Sequence, residues 1–271
     1  MPDLSFDQKK GPFSPNSIIS KDRVQRIILV RHGESAGNVD ETNYVTCADW
    51  RIPLTEKGHK QAQATGRKIR QLIGDPKDGS KIFFYVSPYL RTRQTLQGIL
   101  KELDEEQVVG VREEPRISEQ QFGNYQSVEG VKKAKKERND FGRFYYRFPN
   151  GEAGFDVYSR VTSFISTVMR DCSQTRSAGY DTSKFNMCIV THGLTLRLFL
   201  MRWFQFTVSE FEESLNPENG AVVILERHTN PNTGLQWFEV RKSELDELNY
   251  PCFKDQNRFH ILDTLRKHEI K

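Results

Sequence analysis

Short apolar runs separated by helical patterns predict an α/β architecture. Residues 26–31, 81–87 and 185–191 are nearly continuous in Ile, Val, Leu, Phe and other apolar residues, as expected for strands covered on both faces. Three later or shorter runs are further strand candidates: 108–111, 221–225 and 237–240. The short length of each run favours strand over buried helix.

Helical periodicity fills the segments between these runs. Thr55 has the residue type and position of a helix N-cap, and we expect its helix to continue to about residue 73 after a long loop from the first strand. Further helices are predicted at 88–103, after 127, at 155–171 and at 194–204. This alternation predicts a three-layer α/β sandwich, in which helices flank a mostly parallel central sheet.

The 271 residues are predicted to form one domain behind a disordered segment. Residues 1–25 are polar, with scattered Pro, Ser and Lys, and lack the apolar run of a secretory signal. No Pro-, Gly- or Ser-rich linker divides 26–271, so we expect a single domain with a helical and aromatic insertion at about 127–150. No apolar stretch approaches the length needed to span a membrane.

Charge and cysteine content narrow the classes of ligand. The formal net charge is +4, a modest excess that favours small anionic ligands over nucleic acid. The basic run 132–138 is predicted to be a solvated helix face, with contact to nucleic acid or a membrane as the minority alternative. The four cysteines show no Cys-x-x-Cys spacing and no neighbouring histidine, so we expect no metal and a reducing, cytoplasmic setting.

Two histidines and an arginine follow three of the predicted strands. Arg31-His32-Gly33 comes directly after the first strand, and His192-Gly193 directly after the strand 185–191. The helix behind the strand 81–87 carries Arg91. Ligands of open α/β sheets bind outside the carboxyl ends of the strands. Either histidine alone is more often a packing residue, but the set predicts a shared site for an anion.

Four motifs in this order resemble the histidine phosphatase superfamily, in its phosphoglycerate-mutase-like branch. They are Arg31-His32-Gly33-Glu34-Ser35, Ser87-Pro88-Tyr89-Leu90-Arg91-Thr92-Arg93-Gln94-Thr95, Glu119 with Phe122-Gly123, and Thr191-His192-Gly193. The resemblance covers roughly residues 26–226. More narrowly, the segments 116–126 and 141–152 are similar to those of plant mutase-like proteins and of a fungal broad-range acid phosphatase.

The resemblance implies a phosphatase that needs no cofactor and no metal. It implies that His32 attacks phosphorus to give a phosphohistidine, and that Glu119 acts as general acid. It also implies a catalytic role for His192 in a phosphate pocket whose other members are Arg31, Arg91, Asn38 and Gly193. Taken without the resemblance, Glu119 is a loop carboxylate that pairs with Arg116. Glu152 also matches a family position, but a carboxylate at a helix start has an ordinary stabilising role.

Departures from the mutase pattern favour a phosphomonoester hydrolase. Gly37 stands where mutases have tryptophan, Gln120 stands where they have a basic residue, and Leu194-Thr195 replaces their Asn-Ser pair. A phosphoglycerate mutase or related phosphomutase stays the first alternative. The second is a catalytically silent binding or scaffold protein that uses the basic run as its contact surface.

The substrate itself is predicted only as a small phosphate ester. The aromatic segment 141–148 either walls the substrate side of the cleft or only packs, and Arg143 and Arg147 are spaced to share one helical face. The candidates for substrate specificity are Ser35, Arg143, Tyr145 and Arg147. Nothing in the sequence indicates an oligomeric state.

Overall fold

The computed structural model describes residues 23–124, 127–232, 234 and 236–241. The predicted disordered segment 1–25 therefore lies almost entirely outside the described residues, and that expectation stays a prediction. Among the described helices, none combines the length and the apolar character needed to cross a membrane.

Six strands form one sheet in the order β3-β2-β4-β1-β5-β6. Their bounds are β1 Arg26–Arg31, β2 Lys81–Val86, β3 Val108–Glu113, β4 Phe185–Thr191, β5 Val222–Thr229 and β6 Gln236–Val240. The four strands from β3 to β1 pair in parallel, whereas β5 is antiparallel to both of its neighbours. This is the mostly parallel sheet that the apolar runs predict.

Eight helices cover the sheet and line its carboxyl edge in the part of the chain that is described. They are α1 Ala36–Val39, α2 Asn43–Thr46, α3 Glu56–Ile73, α4 Leu90–Leu100, α5 Val128–Phe141, α6 Gly154–Ser177, α7 Gly193–Phe204 and α8 Val208–Glu213. The predicted N-cap is present, because the Thr55 side chain accepts a hydrogen bond from the Gly58 amide at the start of α3.

Alternate residues of β1 point into two separate hydrophobic cores. Ile27 and Leu29 belong to a core shared with α6 and α7, whereas Ile28 and Val30 belong to a core shared with α3 and α4. A strand places successive side chains on opposite faces, so an entirely apolar strand requires a covering layer on each side. The predicted three-layer α/β sandwich is therefore confirmed.

Helices α3 and α4 pack closely because each has a glycine at the contact. A Cβ at Gly98 would lie 2.6 Å from the Ala62 Cβ, and one at Gly66 would lie 2.8 Å from the Ile99 carbonyl oxygen. Both distances are shorter than a carbon atom tolerates, so larger side chains would push the helices apart. The contact holds α4, and with it Arg91, against the layer that α3 forms.

Several elements differ in extent from the prediction, among them β5, which continues to Thr229 where the prediction ended at residue 225. The helix expected at 88–103 begins at Leu90, because Ser87-Pro88-Tyr89 makes an extended turn first. The helix expected to end at residue 171 continues to Ser177, since Cys172 and Thr175 prolong its buried face. The long loop after β1 contains the short helices α1 and α2.

Strand register brings the two histidines to the same level. Arg31 at the end of β1 lies beside Thr191 at the end of β4, so the next residue of each strand is a histidine. The backbone amide of His32 still donates to the Thr191 carbonyl, at 3.0 Å. Ser87 continues β2 on the other side of β4, where its amide donates to the Val190 carbonyl at 3.0 Å. The carboxyl ends of three adjacent strands thus form the floor of one pocket.

Candidate active site

The rings of His32 and His192 lie edge to face at the bottom of this pocket. Their centroids are 5.2 Å apart, and both residues are buried, at 3% and 0% exposure. Tyr89 covers the other side of His192, with ring centroids 5.0 Å apart. The structure therefore brings together the two histidines that the sequence separates by 160 positions.

A backbone carbonyl fixes the tautomer of His32. The ring Nδ1 lies 2.7 Å from the Gly33 oxygen, which can only accept, so Nδ1 carries the proton and Nε2 keeps its lone pair. Burial holds the pKa of His32 well below its usual value, and the positive charges of Arg91 and Arg31 lower it further. Together these effects keep a neutral, oriented imidazole at neutral pH.

His192 is held by one nitrogen and leaves the other without a partner. Its Nε2 lies 2.8 Å from the Ser87 hydroxyl, whereas its buried Nδ1 has no hydrogen-bond partner among the described residues. Burial lowers the pKa of His192 well below the usual value, assisted by the charge of Arg91. His192 is also the N-cap residue of α7, so the amide end of that helix faces the same pocket.

Two arginines supply positive charge beside His32. The Arg31 guanidinium donates to the Pro217 carbonyl, and its buried Nε has no partner in the part of the chain that is described. Arg91 is 2% exposed and lies 2.7 Å from the Asp49 carboxylate. Burial lowers the pKa of Arg91, but Asp49, Tyr44 and Glu119 together outweigh burial, and the pKa lies above its usual value. Both groups stay charged in a largely buried pocket.

Glu119 lies close enough to both arginines to interact with their charges. Burial raises the pKa of Glu119, while the charge of Arg91 and a hydrogen bond from the Gln120 amide oppose the rise. The competing prediction, a pair with Arg116, is wrong, because Arg116 instead pairs with Glu114 at 2.6 Å. The Glu119 carboxyl is thus free of a local ion pair and has the raised pKa that suits a proton donor.

Arg160, on α6, holds the backbone around Glu119. The Arg160 guanidinium donates to the carbonyls of Arg116 and Ser118 at 2.8 Å each, and to that of Glu119 at 2.9 Å. It also forms an ion pair with Glu152 at 3.0 Å. Glu152 therefore has more than a helix-start role, since it orients the arginine that fixes the Glu119 loop.

Of the remaining phosphate-pocket candidates, Asn38 is exposed and Gly193 is buried. The Asn38 Oδ1 accepts from the amide and hydroxyl of Ser35, at 3.0 Å each, and from Asn219 at 3.2 Å. Ser35 is 1% exposed, so its hydroxyl supports Asn38 instead of facing open space. Gly193 begins α7, where a Cβ would lie 2.8 Å from the Asn216 side chain. The placement of Asn38 near His32 stays compatible with the prediction that it contacts phosphate.

Tyr44 occupies the space next to Gly37. A Cβ at Gly37 would lie 2.9 Å from the Tyr44 ring, so the absence of a side chain at this position admits the tyrosine. Burial raises the pKa of Tyr44 to about 12, although the charge of Arg91 acts in the opposite direction. A neutral phenol from α2 thus borders the pocket in place of the tryptophan expected of a mutase.

The specificity candidates of the aromatic segment do not share a helical face. Helix α5 ends at Phe141, and Gly142 adopts a φ of 106°, so the prediction that Arg143 and Arg147 lie on one helix is wrong. Arg147 turns outward and pairs with Asp156 at 2.6 Å. Tyr145 is 61% exposed, and Arg143 is half-buried. Of the segment's aromatic residues, Phe144 and Phe148 provide packing.

Several residues that complete the pocket carried no signal in the sequence. Asp49 pairs with Arg91, 42 positions away, and Arg160 donates to the backbone carbonyl of Glu119, 41 positions away; nothing local marks either residue. Thr95, in contrast, belongs to the second sequence motif: its hydroxyl accepts from the Gly33 amide at 3.0 Å and donates to the Arg91 carbonyl at 2.7 Å. Within the described ranges, no three His, Cys, Asp or Glu side chains are grouped to hold a metal ion.

An α/β fold with paired histidines at the carboxyl ends of adjacent strands is a feature that comparison with known families can test. The family model of the histidine phosphatase superfamily (branch 1) matches residues 27–240, and the chain belongs to this superfamily. Its relatives include the phosphoglycerate mutase-like protein AT74H of Arabidopsis thaliana, 45% identical over 236 residues that span 85% of this chain and 83% of the relative. Another is the broad-range acid phosphatase DET1 of Saccharomyces cerevisiae, 29% identical over an alignment of 292 residues that covers 75% and 86% of the two chains.

Solved structures show the same fold at lower identity. The mycobacterial glucosyl-3-phosphoglycerate phosphatase in complex with inorganic phosphate superposes with a TM-score of 0.59. The two sequences are 18% identical, and the match covers 80% of this chain and 96% of that structure. This likeness confirms the predicted α/β fold of the superfamily.

Proposed function

We propose that the protein hydrolyses small phosphate monoesters through a phosphohistidine on His32, without a metal ion. The observation that carries the proposal is the buried pair of His32 and His192, whose rings are 5.2 Å apart beside the charges of Arg31 and Arg91. A buried site with net positive charge and unpartnered donors favours an anion. The arginines supply the charge that a metal would otherwise provide.

In the first step, His32 Nε2 attacks phosphorus. A new P–N bond forms while the bond from phosphorus to the ester oxygen breaks, and the leaving alkoxide takes a proton from the Glu119 carboxyl. The imidazole is neutral before attack because burial keeps the pKa of His32 low. Its Nδ1–H bond to Gly33 then shares the positive charge that the ring acquires.

In the second step, water hydrolyses the phosphohistidine. Glu119, now a carboxylate, takes a proton from the water as its oxygen attacks phosphorus, the P–N bond breaks, and inorganic phosphate leaves. Glu119 thus returns to its protonated state and His32 to its neutral one. The partial burial that raises the pKa of Glu119 suits both transfers.

Three groups are assigned to the equatorial oxygens of the transferring phosphoryl group. Arg31 and Arg91 offer planar N–H donors with a permanent charge. His192 offers Nδ1, the buried nitrogen that has no partner among the described residues. When the Ser87 hydroxyl donates to His192 Nε2, Nδ1 carries the proton and becomes a donor aimed at phosphate.

The site supports hydrolysis over phosphomutase activity. Gln120 is 1% exposed, and its amide donates to the Glu152 carbonyl at 2.8 Å, so it supports the loop instead of gripping a substrate carboxylate. The similarity to a fungal broad-range acid phosphatase points the same way. The relative with a mutase-like name keeps phosphomutase activity as the alternative that experiment must exclude.

An acid-phosphatase type and a cytoplasmic location complete the proposal. The low pKa of His32 keeps the nucleophile neutral in mildly acidic solution, which permits activity there. Cys47, Cys172 and Cys188 are free thiols, a state that fits a reducing compartment.

Phosphate release from a panel of esters tests the proposed function. We expect hydrolysis of several alkyl and aryl monoesters in the presence of EDTA, and loss of at least about a thousandfold in kcat for His32→Asn. His59→Asn is the matched control, because His59 is an exposed histidine on α3. Efficient conversion of 3-phosphoglycerate to 2-phosphoglycerate with a bisphosphoglycerate primer, without phosphate release, would contradict the proposal.

A further inference from the structure

The basic run 132–138 does not form a uniformly solvated helix face. On α5, Val131 and Ala134 are buried, and Lys135 and Arg138 follow them on the same side at helical spacing. These two cations are half-buried, whereas the other basic residues of the run are exposed: Lys132, Lys133 and Lys136. The expectation of a fully solvated run is therefore wrong for its inward side, which faces the pocket.

Lys135 already has a counter-ion. Its Nζ lies 2.5 Å from the Glu41 carboxylate, and it also lies 5.0 Å from the centroid of the Tyr44 ring and 5.8 Å from that of Phe122. This contact connects α5 to the segment after β1 and neutralises the lysine. The Glu41 carboxylate therefore offsets most of the attraction that Lys135 would have for an anionic ligand.

Arg138 has no such counter-ion. Its guanidinium carbon lies 5.6 Å from the Phe148 ring centroid, and its buried Nε has no hydrogen-bond partner among the described residues. No described carboxylate forms an ion pair with it, in contrast to Lys135. Stacking on an aromatic ring holds the guanidinium plane in place without neutralising its charge.

Two aromatic rings link Arg138 to the loop that carries Glu119, the proposed proton donor to the leaving group. Phe148, on which it stacks, packs against Phe122 with ring centroids 5.0 Å apart, and Phe122 comes three residues after Glu119. Burial lowers the pKa of Arg138, the charge of Arg143 lowers it further, and the Glu119 and Glu212 carboxylates raise it. Arg138 is thus close enough to Glu119 for their charges to interact.

We propose that Arg138 binds a second anionic group, a carboxylate or a second phosphoryl group, on the alcohol portion of the substrate. This assignment rests on the proposed function, because it takes the phosphate between Arg31 and Arg91 as the first anchor. A partly buried cation without a counter-ion is costly, and an anion from the substrate would offset that cost. The fixed guanidinium plane suits a bidentate contact with either anion.

Calorimetry with phosphonates tests this, because phosphonates bind without being hydrolysed. We would compare butylphosphonate, which has one anionic group, with 4-phosphonobutyrate and butane-1,4-diphosphonate, which add a carboxylate or a second phosphonate. For the wild type we expect at least one of the two ligands with a second anionic group to bind about tenfold or more tightly than butylphosphonate. Which of the two gains identifies the anion.

Three variants separate the role of Arg138 from folding. Arg138→Gln should remove the preference while binding of butylphosphonate changes less than about twofold, and Arg138→Lys, which keeps the charge, should retain part of it. Lys136→Gln is the matched control on the exposed side of α5 and should keep the full preference.

Two results would overturn the assignment. These are equal affinity of the wild type for all three phosphonates, and a preference that Arg138→Gln leaves intact. If Arg138→Gln fails to fold, Arg138→Lys takes its place in the second of these results, and a preference equal to that of the wild type overturns the assignment because lysine cannot make the bidentate contact. Failure of the wild type to bind even butylphosphonate would instead contradict the phosphate pocket, and with it the proposed function.

Discussion

Replacement of Arg160 by methionine should disconnect the proposed general acid from the core. The Arg160 guanidinium makes three hydrogen bonds of 2.8–2.9 Å to carbonyls of the segment 116–119 and an ion pair of 3.0 Å with Glu152. Methionine keeps the length and apolar stem of the side chain but removes every one of these contacts. Glu152 and three backbone carbonyls would be left without their shared partner.

The size of the effect follows from burial. Removing one partner of a buried ion pair costs ~3–5 kcal/mol. Arg160 and Glu152 are each 19% exposed, so solvent compensates part of this loss and we expect about 3 kcal/mol. For a domain of this size, each kcal/mol lowers Tm by about 2–4 °C, which gives a fall of about 6–12 °C.

The kinetic effect should depend on the leaving group. A displaced Glu119 donates its proton poorly, so we expect kcat/KM for alkyl phosphates to fall about 10- to 100-fold. p-Nitrophenyl phosphate, whose leaving group needs little protonation, should lose less than about threefold. The two rates and the thermal unfolding midpoint would be measured on the same preparation.

Arg170→Met is the matched control for this prediction. Arg170 is an arginine of the same helix that is 59% exposed, and its one ion pair among the described residues is with the neighbouring Asp171. Such a pair contributes little, so both Tm and the rates should stay close to wild type. Equal slowing of alkyl and aryl substrates by Arg160→Met, or no change in either, would refute the positioning role of Arg160.

Four further predictions follow from the same pocket. Glu119→Gln should slow alkyl phosphates at least tenfold more than p-nitrophenyl phosphate in steady-state assays, and equal slowing would remove its role as the acid. Asp49→Asn should raise the inhibition constant of inorganic phosphate about tenfold by releasing Arg91, and an unchanged constant would show that Arg91 needs no such support. Burial holds the pKa of His32 well below 6.5, so His32 should stay neutral between pH 7.5 and 6.5. After correction for ionisation of the substrate, kcat/KM should therefore not fall over this range. A fall in kcat/KM that titrates with a group of the free enzyme in this range would count against a neutral buried nucleophile. The unfolded state then binds more protons than the folded one, so the free energy of unfolding should fall as the pH drops below 6.5, which chemical denaturation at a series of pH values can measure.

The apolar runs predict the sheet well because a strand buried on both faces leaves a strong local signal. The strand at 185–191 is found as predicted, with all seven residues buried. Local signals also locate His32 and His192, since each histidine directly follows such a strand. The two histidines meet because β1 and β4 pair with Arg31 beside Thr191. This register is itself favoured by the burial of the apolar side chains of the strands.

Residues that act through distant partners leave no comparable signal. Asp49 begins a three-residue 3₁₀ helix of ordinary composition, and only the folded chain shows that it holds Arg91. Arg160 lies on α6, and its hydrogen bonds to the segment 116–119 exist only in the folded chain. The prediction of a solvated helix face for the basic run is wrong at Lys135 and Arg138, because charge composition does not reveal which face of a helix packs against a pocket.

The aromatic segment 141–148 does not continue helix α5 beyond Phe141, and the backbone shows why. Gly142 has a φ of 106° and Asn150 a φ of 56°, so the chain turns sharply at both ends of the segment. Its amides at Arg143 and Phe144 bond to the Glu212 carboxylate instead of to a preceding helical turn. A carboxylate on a later helix thus replaces the local bonds that a periodicity argument assumes.

Trapping of the phosphoenzyme tests the central claim most directly. After rapid acid-free denaturation during turnover of a ³²P-labelled monoester, the wild type should retain radioactivity that is stable in alkali and lost in mild acid, as a phosphoramidate is. Peptide mapping should place it at His32, and His32→Asn should retain none while His59→Asn labels like the wild type. Turnover of the same ester without any labelled protein, or label on a residue other than His32, would contradict the account.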